Sequence, residues 1–231
     1  MKTYVALLSA ITTAIACTLL VAKDSTKEQS NESKLLSNTR QLTFAGKRSG
    51  EGYYSSDGTQ MIFQSEREPG NPFYQIYLMD LETGDTNRVS PGIGKTTCAW
   101  IHPDGKKVMF SSSHSDPDAK AKQIDEIEER KSRRIRKYSW DYDENYEIWE
   151  TATDGSNPVN LTNCKGYDAE GSYSPDGNWI AFASNRHAYA KKLSNVEKER
   201  FEIDKSYFME IYIMKSDGSE LRRLTNTPGY D

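Results

Sequence analysis

Cysteine is scarce in this chain, with 3 among 231 residues. Three cysteines cannot build a disulfide framework, and Cys17, Cys98 and Cys164 are too widely spaced for a zinc motif. The three histidines, His102, His114 and His187, have no metal-ligand spacing either. Charge of one sign is also lacking. Thirty basic residues face 34 acidic ones, a net charge of −4. No global basic field exists, which excludes nucleic acid as a partner. No Gly-x-Ser-x-Gly elbow occurs, so this segment offers no hydrolase nucleophile. Asp141-Tyr142-Asp143-Glu144-Asn145 starts like a calcium loop. Tyr146 then stands at the glycine position and Ala152 at the glutamate position, which excludes an EF-hand. No catalytic residue, metal or cofactor is therefore expected. Apolar residues make up only 35%, but 14 Tyr and 11% aromatic content argue against disorder.

What is present begins with an export signal. Lys2 is a short positive region, followed by an apolar stretch from Tyr4 to about Ala22. Residues 1–22 read as a signal peptide or lipoprotein signal to be excluded from fold reasoning. Ala14-Ile15-Ala16-Cys17 is lipobox-like, so Cys17 is a candidate lipidation site; a retained anchor is the alternative. The membrane enters only through this segment, and the remainder is expected to be periplasmic or secreted. Residues 23–37, rich in Ser, Asn, Lys and Glu, read as a tether.

An internal repeat organises the rest. The turn Tyr54-Ser55-Ser56-Asp57-Gly58 recurs as Ile101-His102-Pro103-Asp104-Gly105 and Tyr173-Ser174-Pro175-Asp176-Gly177. Each is followed by an apolar run (Met61-Ile62-Phe63, Val108-Met109-Phe110, Ile180-Ala181-Phe182). A second block reads Gln75-Ile76-Tyr77-Leu78, Glu147-Ile148-Trp149-Glu150 and Glu210-Ile211-Tyr212-Ile213. A Gly turn follows, then a strand ending in Val89-Ser90, Leu161-Thr162 or Leu224-Thr225. Ile76 to Val89, Ile148 to Leu161 and Ile211 to Leu224 are each 13 residues apart. Leu42 to Asp57, Val89 to Asp104 and Leu161 to Asp176 are each 15 apart. Only the interval from the turn Asp to the second block varies, so repeats two and three carry insertions there.

Each repeat holds four strand candidates, a to d. Asp-Gly between apolar runs is a strong hairpin signal, because Gly tolerates the positive φ of tight turns. Four short antiparallel strands per unit is the pattern of a β-propeller blade. The fold class is all-β, with blades over residues 50–90, 96–162 and 169–225. Thr39-Arg40-Gln41-Leu42-Thr43 matches strand d alone, and residues 38–43 read as a ring-closing strand.

The Ser-Pro-Asp-Gly turn, the Glu-Ile-Tyr-Ile-Met strand with Asp-Gly-Ser, and Arg-Arg-Leu-Thr resemble the repeats of the TolB-like β-propeller family over residues 38–231. The resemblance implies six blades, of which three are here, the remainder being supplied by further C-terminal sequence. It is weak for function. The repeat occurs in the periplasmic TolB protein, in propeller domains of prolyl-oligopeptidase-like enzymes and in some polysaccharide lyases.

Both insertions lie between strands b and c, so they project from one face, which also holds the d–a connections. Residues 114–145 should hold a charged helix from Ala119 to Arg136, opened by Asp116-Pro117. Residues 186–208 should hold a short helix opened by the capping box Ser194…Glu197 and packed by Tyr189, Phe201, Tyr207 and Phe208. On this loop-rich face Lys47, Arg48, Glu51, Lys95, Asp168 and Glu170 from the d–a connections, with His114, Arg186 and His187 from strand-b ends, are the candidate binding residues. Such a mouth suits an anionic or peptide ligand; satisfying one another is the plainer role of the same charges. The leading expectation is a protein- or peptide-binding module. The alternatives are the propeller of a prolyl-oligopeptidase-like hydrolase whose catalytic part lies beyond residue 231, or a lyase or peptidase using mouth residues. Asp57, Asp104 and Asp176 read as turn-formers. A Cys98–Cys164 bridge is the lesser option for those thiols.

Overall fold

A computed structural model describes residues 34–135 and 140–231. The export signal with Cys17, and most of the tether, lie outside the described residues. The chain divides into residues 1–41 and 42–231. The described part of the first unit holds no strand. The second consists of three four-stranded antiparallel sheets, each paired in chain order. Blade 1 is β1 (Ser49–Tyr54), β2 (Gln60–Ser65), β3 (Gln75–Asp80) and β4 (Thr86–Arg88). Blade 2 is β5 (Thr96–Ile101), β6 (Lys107–Ser112), β7 (Glu147–Ala152) and β8 (Val159–Asn160). Blade 3 is β9 (Asp168–Tyr173), β10 (Trp179–Ser184), β11 (Glu210–Lys215) and β12 (Arg222–Arg223).

The hairpins close as the turn chemistry requires. Asp57 accepts hydrogen bonds from the Ser55 hydroxyl (2.7 Å) and the Thr59 N–H (3.0 Å), and Gly58 takes φ +71°. Asp176 does the same with Ser174 and Asn178. These bonds hold both carboxyls down at about 2. Asp57 and Asp176 are turn-formers.

Period-two alternation then builds the seams. Ile62 and Leu78 are cross-strand partners and meet Ala99, Ile101, Val108 and Phe110 of blade 2. Met109 and Ile148, on the other side of blade 2, meet Ile180, Phe182, Tyr212 and Met214 of blade 3. Each fully buried Val, Ile, Met or Phe side chain among them contributes about 1.5–3 kcal/mol. Strands a lie side by side, β1 against β5 and β5 against β9, with Tyr53 and Trp100 in ring contact at 4.5 Å.

A side-chain latch explains the recurring Ser/Thr after strand d. Ser90, Thr162 and Thr225 each accept from the N–H of Ile76, Ile148 and Ile211 (2.9, 3.0 and 2.9 Å). Each donates its own proton to the residue heading strand c, Gln75, Glu147 or Glu210.

Residues 38–44 form no strand. Leu42 nonetheless packs on the buried Phe63, Tyr77 and Met79 at the outer flank of blade 1. Val89 and Leu161 pack against the next blade in the same manner.

The first insertion holds α1 (Ala119–Lys131). It ends five residues before the expected Arg136. Asp118, not Asp116, is its N-cap; Asp116 instead accepts the Asp118 N–H (2.9 Å) in a local turn. The helix folds back onto blade 1. Gln123 accepts from the Gly94 N–H (2.9 Å) and donates to Gly70 O, and Arg130 reaches Glu66 (2.6 Å) and Pro72 O (2.8 Å). The second insertion holds α2 (Arg186–Ala190), α3 (Asn195–Ile203) and a 3₁₀ turn (Lys205–Phe208). The Ser194–Glu197 capping box is formed, and Tyr189, Phe201 and Phe208 pack edge to face. Among the described residues no helix is long and apolar enough to cross a membrane.

Candidate binding face

Each strand a carries a bulge at its third residue. Pairing with strand b slips between Gly50 and Tyr53, between Thr97 and Trp100, and opposite Ala181 to Ala183. The bulge residues Glu51, Cys98 and Glu170 all adopt left-handed backbone, with φ +48°, +52° and +59°. A non-glycine residue there costs on the order of 1–3 kcal/mol, and a bulge re-aims its side chain. Because strands a lie side by side, the re-aimed groups converge. Cys98 Sγ lies 3.6 Å from Glu51 Oε2, and the Tyr230 hydroxyl donates to Glu170 at 3.2 Å. Burial and the neighbouring carboxylates push the Cys98 thiol up to about 12, so it stays protonated and is no nucleophile. Burial raises Glu170, and the like charge of Glu51 adds to the rise. Cys98 was absent from the candidate binding residues read from the sequence. Its signal was available, since Glu51, Cys98 and Glu170 each stand six residues before the turn Asp.

An aromatic wall borders these groups. Tyr142 and Tyr146 meet Tyr167 edge to face at 5.2 and 5.3 Å, and Trp140 Nε1 donates to the Tyr167 hydroxyl (2.9 Å). Burial, then the charges of Asp141 and other acids including Glu51, lift the Tyr146 hydroxyl well above its ordinary value.

The remaining candidate residues are drawn into structural pairs. Lys47 and Arg48 both contact Glu66 (3.2 and 2.8 Å), whose carboxylate is 4% exposed. Lys95 pairs with Asp141 and Asp143, and Lys122 pairs with Asp143 (2.8 Å) and Asp116 (2.6 Å). Burial alone would raise Asp143; the two lysines outweigh it and hold the carboxyl far below the usual range. The acids Asp141 and Asp143 of the calcium-like segment thus already have lysine partners. His114 and Arg186 occupy one repeat position with Arg67, which the sequence reading passed over. Arg67 lies over Phe63 and Tyr77, Arg186 over Phe182 and Tyr212, and His114 over Trp149 at 4.2 Å. Each also bonds the serine ending strand b, Ser65, Ser184 or Ser112. They cap their own blade, and Arg186 also meets the candidate residue Asp168. Burial lowers His114 to about 4, so the ring is neutral. His187 makes a tilted ring contact with Phe208 at 6.0 Å.

One buried acid pair lies at the seam of blades 2 and 3. Asp168, fully buried, accepts from Ser184 and Arg186 (both 2.5 Å). Glu147 accepts from the Thr162 hydroxyl and from Cys164 N–H (2.9 Å), and the Cys164 thiol points to Asp168 at 3.6 Å. Burial lifts Glu147 to about 7 against the Thr162 bond, and the charge of Asp168 adds to the rise. Cys98 and Cys164 are both free thiols.

Three four-stranded blades in chain order, latched by the same residues and joined by strands a, decide the architecture. At 20% identity and a TM-score of 0.53, 81% of the chain superposes on 52% of a structure assigned as TolB from Agrobacterium tumefaciens. The fold is a TolB-like β-propeller, present in part. Other similar structures are TolB from Acinetobacter baumannii (21% identity, 76% of this chain on 32% of that one, TM-score 0.47) and the propeller domain of the Trilobed protease from Pyrococcus furiosus (11%, 80% on 44%, TM-score 0.46). The chain thus spans about half the length, or less, of these proteins. No family model matches the sequence. Within the TolB-like frame, the bulge residues sit on the innermost strands, while both insertions and the d–a connections share the loop-rich face.

Proposed function

We propose that this chain is an exported TolB-like propeller, periplasmic or secreted, that binds a protein or peptide partner through its loop-rich face. The observation that carries the reading is the mouth formed by the strand-a bulges. Glu66, Asp143 and Asp168 each have a cation at hand. Glu51 and Glu170 make no ion pair with the described residues, and they sit beside tyrosines and a tryptophan, side chains favoured in protein interfaces. Strain at three equivalent positions fits a place kept for recognition. The negative sign of the mouth disfavours an anionic ligand there and leaves the peptide reading.

The test is affinity capture from envelope extract with the full chain and with the double variant Glu51→Lys/Glu170→Lys. The wild type should recover a defined partner that the variant loses at unchanged melting temperature. Recovery of the same proteins by both, or of none by either, would defeat the proposal.

A further inference from the structure

The insertion helix α1 rests on blade 1 at two separate points. Gln123 holds Gly70 and Gly94 at one end, and Arg130 holds Glu66 and Pro72 at the other. Residues 123, 127 and 130 lie along one helix face. Ile127, between the two clamps, belongs to no core cluster and faces a cleft of about 600 Å³ between the helix and the loop joining β2 to β3. Pro69 and Pro72 line the same cleft. The contacts at both clamps are polar, so the helix is fixed without the cleft being filled.

The rim is basic. Lys47, Arg67, Arg130 and Lys131 line it against Glu66 and Glu68. Both acids are already answered, Glu66 by Lys47, Arg48 and Arg130, and Glu68 by Arg88 at 3.0 Å. Arg67 makes no ion pair among the described residues; its partners are the Ser65 and Ser49 hydroxyls and two rings. Lys47 is 75% exposed, and among the described residues Lys131 pairs with the exposed Glu128. A local excess of positive charge over an apolar floor, on a chain whose net charge is −4, selects a carboxylate next to an apolar side chain.

We infer that the cleft between α1 and the β2–β3 loop docks an acidic, extended segment of a partner protein, its carboxylate at Lys47 and Arg67 and its apolar side chain against Ile127 and Pro72. This groove would serve the partner binding proposed above and rests on that reading for its biological setting. It is separate from the mouth at Glu51 and Glu170 and carries the opposite charge.

The test uses the full chain and three fluorescein-labelled octapeptides built around Leu, flanked by Asp and Glu, by Ser, or by Lys. Anisotropy at low and moderate salt gives relative affinity. The acidic peptide should bind at least roughly tenfold tighter than the others and weaken with salt. Ile127→Trp, which fills the cleft, and the neutral exposed pair Lys47→Gln/Lys131→Gln should each weaken it by roughly tenfold or more, and the lysine variant should keep its cooperative melt because Arg48 and Arg130 still answer Glu66. Equal binding of acidic and basic peptides, no binding of the acidic one, or indifference to both variants would overturn the inference. In the capture experiment, a partner lost by the mouth variant but kept by Ile127→Trp would remove the cleft and leave the proposed function standing.

Discussion

The thiol of Cys98 lies 3.6 Å from a carboxylate oxygen of Glu51, and both residues hold left-handed backbone on adjacent innermost strands. Glu170 repeats the conformation one blade further on. The strain there predicts an unusual ordering of substitutions. Cys98→Asn, a residue type that tolerates positive φ, should be close to neutral, whereas Cys98→Val should cost roughly 1–3 kcal/mol. Urea denaturation of the two variants measures the gap; equal midpoints would mean that the bulge holds no strain.

The buried acids at the second seam predict a pH dependence. Glu147 is raised from 4.5 to about 7 by burial, with Asp168 adding to it. Between those values the folded chain holds a proton that the unfolded chain lacks. The stability from Glu147 is therefore full below about pH 4.5 and is lost as pH rises through 7. Glu147→Gln should flatten this part of the profile and gain most at alkaline pH. Melting temperatures at pH 5.5 and 8.5 decide it: a variant whose drop between the two matches the wild type would exclude Glu147 as the source.

The glycines of the strand c–d turns predict a blade-dependent cost. A Cβ on Gly155 would lie 2.9 Å from Val89 O, and one on Gly218 2.8 Å from Leu161 O, in each case the end of strand d in the preceding blade. One on Gly84 meets nothing within 4 Å. All three have positive φ. Gly84→Ala should cost about 1–2 kcal/mol from backbone strain alone, and Gly155→Ala and Gly218→Ala roughly 2–5 kcal/mol once crowding is added. Calorimetric melting should separate the pair from Gly84; three equal shifts would rule out the crowding.

The blades were legible in the sequence because their signals are local. Asp57-Gly58 and Asp176-Gly177 close hairpins with their own neighbours, and the 13-residue spacing from Ile76 to Val89 is set by one strand pair and its turn. The mouth was half legible. Glu51 and Glu170 were visible as charges in the d–a connections, while Cys98 was weighed only for a bridge to Cys164, because the bulge that re-aims its side chain depends on its pairing with strand b. The blade-capping role of Arg186 and His114 was hidden for a related reason. Their role emerges only once Ser184 and Ser112 are seen to anchor them over their own blade's rings. The path of α1 was not legible at all. Its charge pattern marked a helix but not what it rests on, and its anchors, Glu66, Gly70, Pro72 and Gly94, are scattered polar or backbone groups with no periodic signature.

The backward reach of α1 has a mechanical consequence. A propeller behaves as a row of units coupled to nearest neighbours. Here both couplings have a hydrophobic seam; the first adds a helical strut carried by blade 2 and fastened to blade 1, while the second adds the buried acids Asp168 and Glu147. Under load, or during unfolding, the row should part unevenly. Blades 1 and 2 should travel together as one block, and blade 3 should peel away first.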